Sequence, residues 1–185
     1  MNVLYLQPLE DVPHTVLSSL QSILEVRHGF RVRPGRNPVQ LEPYYDEQRG
    51  QYDSTRILLA LKEASLPDEP AKLLAVVPHD LFIPILTFVF GEAELSGNLA
   101  VVSYYRLANE RYGLPPDPSL LLERLLKESL HEIGHLYGLV HCFEPGCVMR
   151  ASTTVEEIDV KSANYCHRCS AAIPSVQPSA GLGRS

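Results

Sequence analysis

The sequence lacks a long hydrophobic run, an excess of basic residues and any cysteine before position 142. No stretch approaches the 18 or more apolar residues that a membrane-spanning helix needs, so we expect no membrane partner. The 16 Lys and Arg residues against 22 Asp and Glu residues give a formal net charge of −6. Because phosphate backbones are bound through clustered basic side chains, we also expect no nucleic-acid partner.

The N-terminus does not have the features of a secretory leader. Its first thirteen residues have no basic lead-in, and only a short apolar run precedes Pro8. A signal peptide needs a basic region followed by a longer apolar one. We therefore interpret this segment as the first strand of a cytoplasmic protein.

The length and composition of the chain fit one folded domain. Its 185 residues are 45% hydrophobic and 21% charged, which are ordinary values for a globular protein. We expect a single domain over residues 1–170, divided into an N-terminal subdomain over about 1–138 and a C-terminal subdomain over 139–170. Residues 171–185 have little to pack against a core and are predicted to form a flexible tail.

Alternating strand-like and helix-like segments indicate an α/β fold. Residues 3–6 and 73–77 are apolar runs typical of buried strands. Residues 85–90 and 99–103 are also strand-like, and the turn-rich residues 91–98 between them predict an antiparallel hairpin. We therefore expect a mixed, mostly parallel twisted sheet with an antiparallel strand at an edge.

A long helix is predicted over residues 118–138. Asp117 is a suitable N-cap, and Pro118 suits the first helical position. Leucine and isoleucine recur at helical spacing between positions 120 and 133. Gly138 suits the left-handed residue that ends a helix. At 1.5 Å per residue this helix would be about 30 Å long.

The end of this predicted helix carries three histidines, in the run HEIGHLYGLVH at residues 131–141. His131 and His135 lie one helical turn apart, so both rings project from the same face and can bind one zinc ion. Gly138 lets the chain turn sharply, which allows His141 to return as a third ligand. Three nitrogen ligands leave a coordination position open for water, which is typical of a catalytic zinc site.

Glu132 is predicted to be the general base. It is rotated about 100° around the helix from His131, which makes it a poor ligand but leaves it within reach of zinc-bound water. Zinc lowers the pKa of its water and polarises a carbonyl group. Glu132 would accept the proton of that water and pass it to the leaving amine. The pattern therefore predicts a zinc-dependent hydrolase that cleaves peptide bonds.

Four cysteines form a second cluster: Cys142, Cys147, Cys166 and Cys169. A C-x4-C pair followed after 18 residues by a C-x2-C pair has the spacing of a closed zinc site with four thiolate ligands. Two disulfides or four free thiols are the alternatives, and the lack of a secretory leader favours zinc. We therefore expect two zinc ions per chain, one catalytic and one structural.

The run HEIGHLYGLVHCFEPGCVM followed by CHRC resembles the archaemetzincins, the metzincin branch with four cysteines after the zinc motif. The upstream segments QYDSTRILLAL and FVFGEAELSGNLAVVS are similar to that family too, so the resemblance covers most of residues 1–170. It implies a metzincin-like α/β fold with the zinc in a cleft and a zinc-stapled C-terminal subdomain. It also implies that Met149 forms a methionine turn beneath the catalytic zinc.

The resemblance further implies a peptide or protein substrate bound in extended form along an edge strand, for which residues 88–93 are the candidate. Two other functions are compatible with the motif. One is a catalytically silent zinc-containing module that binds peptides, and the other is a zinc amidase that acts on a small non-peptide substrate. The intact Glu132 favours hydrolysis over silent binding, because a binding scaffold needs no base.

Overall fold

A five-stranded mixed sheet organises the fold, in a computed structural model that describes residues 3–35, 39–64 and 71–174. In chain order the strands are β1 (Val3–Pro8), β2 (Arg31–Pro34), β3 (Tyr45–Asp46), β4 (Gln51–Asp53), β5 (Lys72–Val77), β6 (Leu81–Phe82), β7 (Gly91–Ala93) and β8 (Leu99–Ser103). The helices are α1 (His14–His28), α2 (Ser54–Glu63), α3 (Pro118–Leu136), α4 (Val155–Val160) and α5 (His167–Ser170). No helix of the described ranges is long and apolar enough to cross a lipid bilayer.

The order of the main sheet is β2-β1-β5-β8-β7. The first four of these strands are mutually parallel, and β7 runs antiparallel to β8 at the edge. The prediction of a mostly parallel α/β sheet with an antiparallel edge strand is confirmed. A separate small sheet has the order β3-β4-β6 and was not predicted from the sequence.

Helices cover both faces of the main sheet. In β5, Leu74 and Val76 pack into one apolar cluster with α1 and α3, whereas the alternating Leu73 and Ala75 pack into a second cluster with α2. Strand β8 divides its side chains between the two clusters in the same way. Because successive side chains of a strand point to opposite faces, uninterrupted apolar runs are what a doubly covered sheet requires.

The predicted hairpin is present, but the prediction for its first strand was wrong. Residues 91–93 form β7, whereas residues 85–90 are irregular apart from one bridge between Leu81 and Val89. Along the irregular segment, side chains supply hydrogen bonds that a neighbouring strand would otherwise make. The carbonyl oxygens of Leu86 and Thr87 accept hydrogen bonds from Arg49 and Gln51. The aliphatic and aromatic composition of this segment therefore does not reflect a strand, and most of these side chains line a cleft instead.

Helix α3 begins where it was predicted and ends two residues before the predicted end. The Asp117 carboxylate accepts hydrogen bonds from the backbone N–H groups of Ser119 and Leu120 at 3.1 and 2.9 Å. The helix ends at Leu136, and Gly138 follows with a φ of +83° in the left-handed region. Every residue from 124 to 134 is buried, so the second half of α3 lies inside the molecule.

The C-terminal segment after α3 packs against that helix. Tyr165 donates a hydrogen bond to the carbonyl oxygen of Leu130 at 2.6 Å, and Ile173 packs against the core. Most of the predicted tail, residues 175–185, lies outside the described residues.

Candidate metal centre and cleft

Helix α3 and the loop after it bring the three predicted histidine ligands together. One nitrogen from each of His131, His135 and His141 lies within 4.8 Å of the other two. The Nε2 atoms of His131 and His135 are 3.1 Å apart. A tetrahedral zinc with nitrogens at about 2.0 Å places its ligands about 3.3 Å from one another. The three side chains therefore fit one zinc ion.

Backbone carbonyl groups orient two of the rings. Nδ1 of His131 donates to the carbonyl oxygen of Val148 at 2.9 Å, and Nδ1 of His135 donates to that of Leu139 at 2.7 Å. A carbonyl oxygen can only accept, so each Nδ1 carries the proton and each Nε2 presents a lone pair. Hydrogen bonds of this kind fix the tautomer of metal-binding histidines.

The electrostatics of the site also favour neutral rings. Burial lowers the pKa of His131 well below its usual value and lowers the pKa of His135, because desolvation penalises the imidazolium form. Neutral imidazole is the form that binds a metal ion. His141, in contrast, is exposed, so that the site opens to the surface of the protein.

Glu132 is buried beside the histidines, with 4% of its surface exposed. Its pKa is raised well above the usual value by burial first and by the nearby carboxylate of Glu128 second. Gly91 of the edge strand allows the close approach, since a Cβ atom at that position would lie 2.6 Å from Oε1 of Glu132. A raised pKa brings a carboxylate closer to the range in which general bases operate.

The three histidines and Glu132 line a cleft with a volume of about 660 Å³. Strand β7 and the irregular residues 83–90 supply much of its lining, together with Val140 and residues 151–153. We refer to residues 83–90 as the cleft wall. A volume of this size is within the range of about 300–1,000 Å³ typical of ligand sites.

Polar side chains hold the cleft wall from outside the cleft. Arg106 makes two hydrogen bonds of 2.6 Å to Asp80 and lies over the ring of Phe88 at 4.0 Å. Gln51 bridges Asp80 and the carbonyl oxygen of Thr87 with two bonds of 3.0 Å. These residues were not found from the sequence, because their partners lie 26 to 36 positions away.

The four cysteines also converge. One Sγ atom from each of Cys142, Cys147, Cys166 and Cys169 lies within 4.8 Å of the others, and none of the four is in a disulfide. The Sγ atoms of Cys142 and Cys166 are 3.9 Å apart. Zn–S bonds of 2.3 Å in a tetrahedron place the sulfurs about 3.8 Å apart. This donor set therefore fits a closed zinc site.

Backbone amides favour the thiolate form of Cys166, whereas burial raises the pKa of Cys147 and of Cys169. The N–H of Cys166 donates to Sγ of Cys147 at 3.3 Å. A hydrogen bond from the backbone of Cys169 lowers the pKa of Cys166 to about 7. Because zinc binds the thiolate and not the thiol, such bonds prepare the ligands for the ion.

One short segment joins the two clusters. Val148, whose carbonyl oxygen orients His131, directly follows Cys147. The N–H of Cys142 donates to the carbonyl oxygen of Met149 at 2.9 Å. Met149 is fully buried and packs against α3 at Gly134. The fold therefore places Met149 beside the histidine-bearing helix.

Replacement of Gly134 by Ala is expected to destabilise the protein. The added Cβ would lie 2.2 Å from Sδ of Met149, so the buried methionine must move. Overpacking of this kind costs about 1–3 kcal/mol. Alanine gains about 1 kcal/mol over glycine in a helix, which leaves a net loss of up to about 2 kcal/mol. Urea denaturation should therefore give a lower free energy of unfolding for Gly134→Ala than for the wild type.

Truncation of the methionine provides the control. In the double variant Gly134→Ala/Met149→Ala the shortened side chain leaves room for the new methyl group. The double variant should then be less destabilised than the sum of the two single variants. Strictly additive changes would contradict a direct steric contact between these two residues.

Two ion pairs connect α3 with the C-terminal segment. The side chains of Glu128 and Lys161 are almost fully buried and lie 2.7 Å apart. Arg124 forms two hydrogen bonds of 2.7 Å with Asp159. Charged residues within a helical repeat are usually exposed, so the sequence alone gave no reason to place them here. Their pairing makes burial of these charges possible.

Comparison with known proteins identifies the family. Residues 19–175 match the sequence profile of peptidase family M54. The archaemetzincin of Methanocaldococcus jannaschii is 40% identical over 166 residues, which cover 89% of this chain and 88% of that protein. The archaemetzincin of Pyrococcus abyssi is 37% identical over 174 residues, which cover 91% of this chain and 93% of that protein.

Solved structures agree with this assignment. The crystal structure of a zinc-dependent peptidase from Methanocorpusculum labreanum has a TM-score of 0.84 to this chain at 32% identity, covering 92% of this chain and 100% of that one. The crystal structure of archaemetzincin from Archaeoglobus fulgidus has a TM-score of 0.78 at 36% identity, covering 94% and 100%. The chain therefore belongs to peptidase family M54, the family of the archaemetzincins, and is a zinc-dependent metallopeptidase.

Proposed function

We propose that this metallopeptidase binds its catalytic zinc through His131, His135 and His141 and uses Glu132 as general base. The observation that carries the proposal is the convergence of three imidazole nitrogens within 4.8 Å, beside a buried carboxylate and at the surface of a cleft. The proposal includes a second, structural zinc at Cys142, Cys147, Cys166 and Cys169. The donor set of four thiols supports it, since such sites are closed and noncatalytic.

Each group of the proposed active site has a separate chemical role. Zinc, when bound, supplies a Lewis acid that polarises the scissile carbonyl and acidifies an attacking water. The carbonyl groups of Val148 and Leu139 keep two histidines in the tautomer that presents Nε2. Glu132 accepts a proton from the attacking water and delivers it to the leaving nitrogen.

We further propose that the substrate is a peptide or protein segment bound in extended form along β7. This strand pairs with β8 on one side, lies at the edge of the sheet and lines the cleft. A free strand edge can pair with a substrate backbone without requiring a particular side-chain sequence. The reducing cytoplasm is the proposed location, because free thiols able to bind zinc persist in reducing compartments.

A peptide library tests the proposal. Zinc-replete wild type and Glu132→Ala are incubated with peptides of varied sequence, and cleavage is followed by mass spectrometry. Loss of the base should reduce the cleavage rate about 10²- to 10⁴-fold without a change in zinc content. Glu25→Ala, which removes an exposed carboxylate on α1, is the control and should match the wild type.

Other outcomes point to the alternative functions. If wild type and Glu132→Ala both bind peptides and neither cleaves them, the chain acts as a peptide-binding module. If the wild type leaves peptides intact but hydrolyses small acylated amines, it is an amidase. Unchanged peptide cleavage by Glu132→Ala would contradict the role of Glu132 while leaving the peptidase assignment in place.

A further inference from the structure

The lining of the cleft is predominantly apolar. Beyond the histidines, three glutamates and a few small residues, it is formed by a set of aliphatic and aromatic side chains. They come from the cleft wall, from β7 and the turn after it, and from the loop between α3 and His141. They are Ile83, Leu86, Phe88, Val89, Phe90, Ala93, Leu95 and Val140. Apolar side chains of a bound peptide would be favoured on such a surface, because both partners are removed from water.

Several of these apolar side chains are exposed to solvent. Leu86 is 49% exposed, Leu95 is 57% exposed and Val140 is 65% exposed. Each lines the cleft, and together they come from three separate segments. Exposed apolar residues that cluster at one cleft are typical of a binding site, whereas single exposed apolar residues scattered over a surface are ordinary.

The charges of the cleft have one sign. Its charged lining residues are Glu92, Glu128 and Glu132, and no lysine or arginine is found among the lining residues of the described ranges. The cations near the cleft are engaged elsewhere. Lys161 pairs with Glu128, and Arg106 pairs with Asp80. Arg49 donates to the carbonyl oxygens of the cleft wall.

We infer from this lining that the enzyme selects peptides with apolar residues beside the scissile bond. It discriminates against acidic residues there and against a free α-carboxylate. A carboxylate beside the scissile bond would lose water and find no arginine or lysine of the described lining to bind it, and zinc, when bound, is engaged by the scissile carbonyl and the attacking water. Glu132 is the carboxylate that it faces, since Glu128 is balanced by Lys161 and Glu92 is hydrogen-bonded by α2. This inference rests on the proposed function and deepens it by defining the substrate class.

A matched series of quenched fluorescent peptides tests the inference. Four peptides share one length. Three have blocked termini and carry Leu, Lys or Glu at the flanking positions. The fourth carries Leu and ends in a free carboxylate one residue after the bond. We expect kcat/KM to be highest for the blocked Leu peptide and about tenfold or more lower for the Glu and free-carboxylate peptides.

Binding separates this inference from the proposed mechanism. The same peptides are titrated into zinc-replete Glu132→Ala, and Kd is measured by fluorescence anisotropy. If the wild type cleaves no peptide while binding still ranks the Leu peptide above the Glu peptide, the substrate class stands and the proposed peptide hydrolysis fails. Equal or tighter binding of the Glu or free-carboxylate peptide would overturn the inference, whatever the cleavage result.

Replacing an exposed leucine of the cleft tests whether the apolar lining causes the preference for apolar substrate residues. Leu95→Ser should raise KM for the Leu peptide severalfold with little change in kcat, and should leave KM for the Lys peptide nearly unchanged. Leu59→Ser is the matched control, because Leu59 is 55% exposed on α2 and does not line the cleft. If both variants have the same KM for the Leu peptide, the selection does not come from Leu95 and the apolar-lining argument fails.

Discussion

Replacing His135 by Ala is expected to abolish peptide cleavage and to remove one zinc ion per chain, while the fold persists. His135 supplies one of the three nitrogens of the proposed catalytic site, and two ligands bind zinc far more weakly than three. The ring is only half-buried at the end of α3, so its loss leaves the apolar core intact. Metal analysis by mass spectrometry, circular dichroism and the peptide assay measure the three effects.

A second histidine provides a matched control for this experiment. His28 is also half-buried and also lies at the end of a helix, but it belongs to neither cluster of metal-binding side chains. His28→Ala should keep both zinc ions and full activity. Loss of both ions from His135→Ala would show that the two sites do not have the separate catalytic and structural roles assigned to them.

The ligands of the candidate site were predictable because their spacing is local. His131, Glu132 and His135 lie within five residues on one helix, and helix geometry alone decides which of them share a face. Gly138 explains the return of His141 in the same way, since its left-handed φ ends the helix. The four cysteines come in two close pairs, and each pair has a spacing known from zinc sites.

The surroundings of the ligands were not predictable from local patterns. Val148, which orients His131, is 17 positions away and acts through its carbonyl group, which every residue has. Gly91, which makes room for Glu132, meets α3 because β7 and β8 pack against that helix. The sequence contains these residues, but their roles follow from tertiary packing.

The cleft wall shows why the strand prediction failed. Its composition, with Ile85, Leu86, Phe88 and Val89, is typical of a strand, since aliphatic and aromatic residues favour that conformation. Leu86, Phe88 and Val89 line the cleft instead, whereas Ile85 is exposed. Arg49 and Gln51 satisfy carbonyl groups of the segment. The β-propensity of a residue measures how well its side chain suits a half-buried surface. The wall of a cleft is also half-buried, so it favours the same residue types without forming a strand.

Replacing Cys166 by Ser is expected to release the structural zinc and to lower the melting temperature by about 5–10 °C. The four sulfurs join the segments at residues 142–147 and 166–169, and metal binding there is coupled to folding. Local unfolding should be confined to the C-terminal segment, which hydrogen exchange would detect as faster exchange after residue 141. The neighbouring exposed His167 supplies the control, because His167→Ala should keep the zinc and the melting temperature.

The same substitution should also weaken catalysis, although Cys166 does not line the cleft. Cys166 donates its N–H to Sγ of Cys147, and the next residue, Val148, holds the ring of His131. If the cysteine site anchors this segment, its loss increases the freedom of His131 and lowers the affinity of the histidine site for zinc. Outer hydrogen bonds of metal ligands typically change affinity about 10- to 100-fold. A competition titration with a zinc chelator should therefore show weaker binding at the histidine site of Cys166→Ser, and unchanged affinity would mean that the two sites are energetically independent.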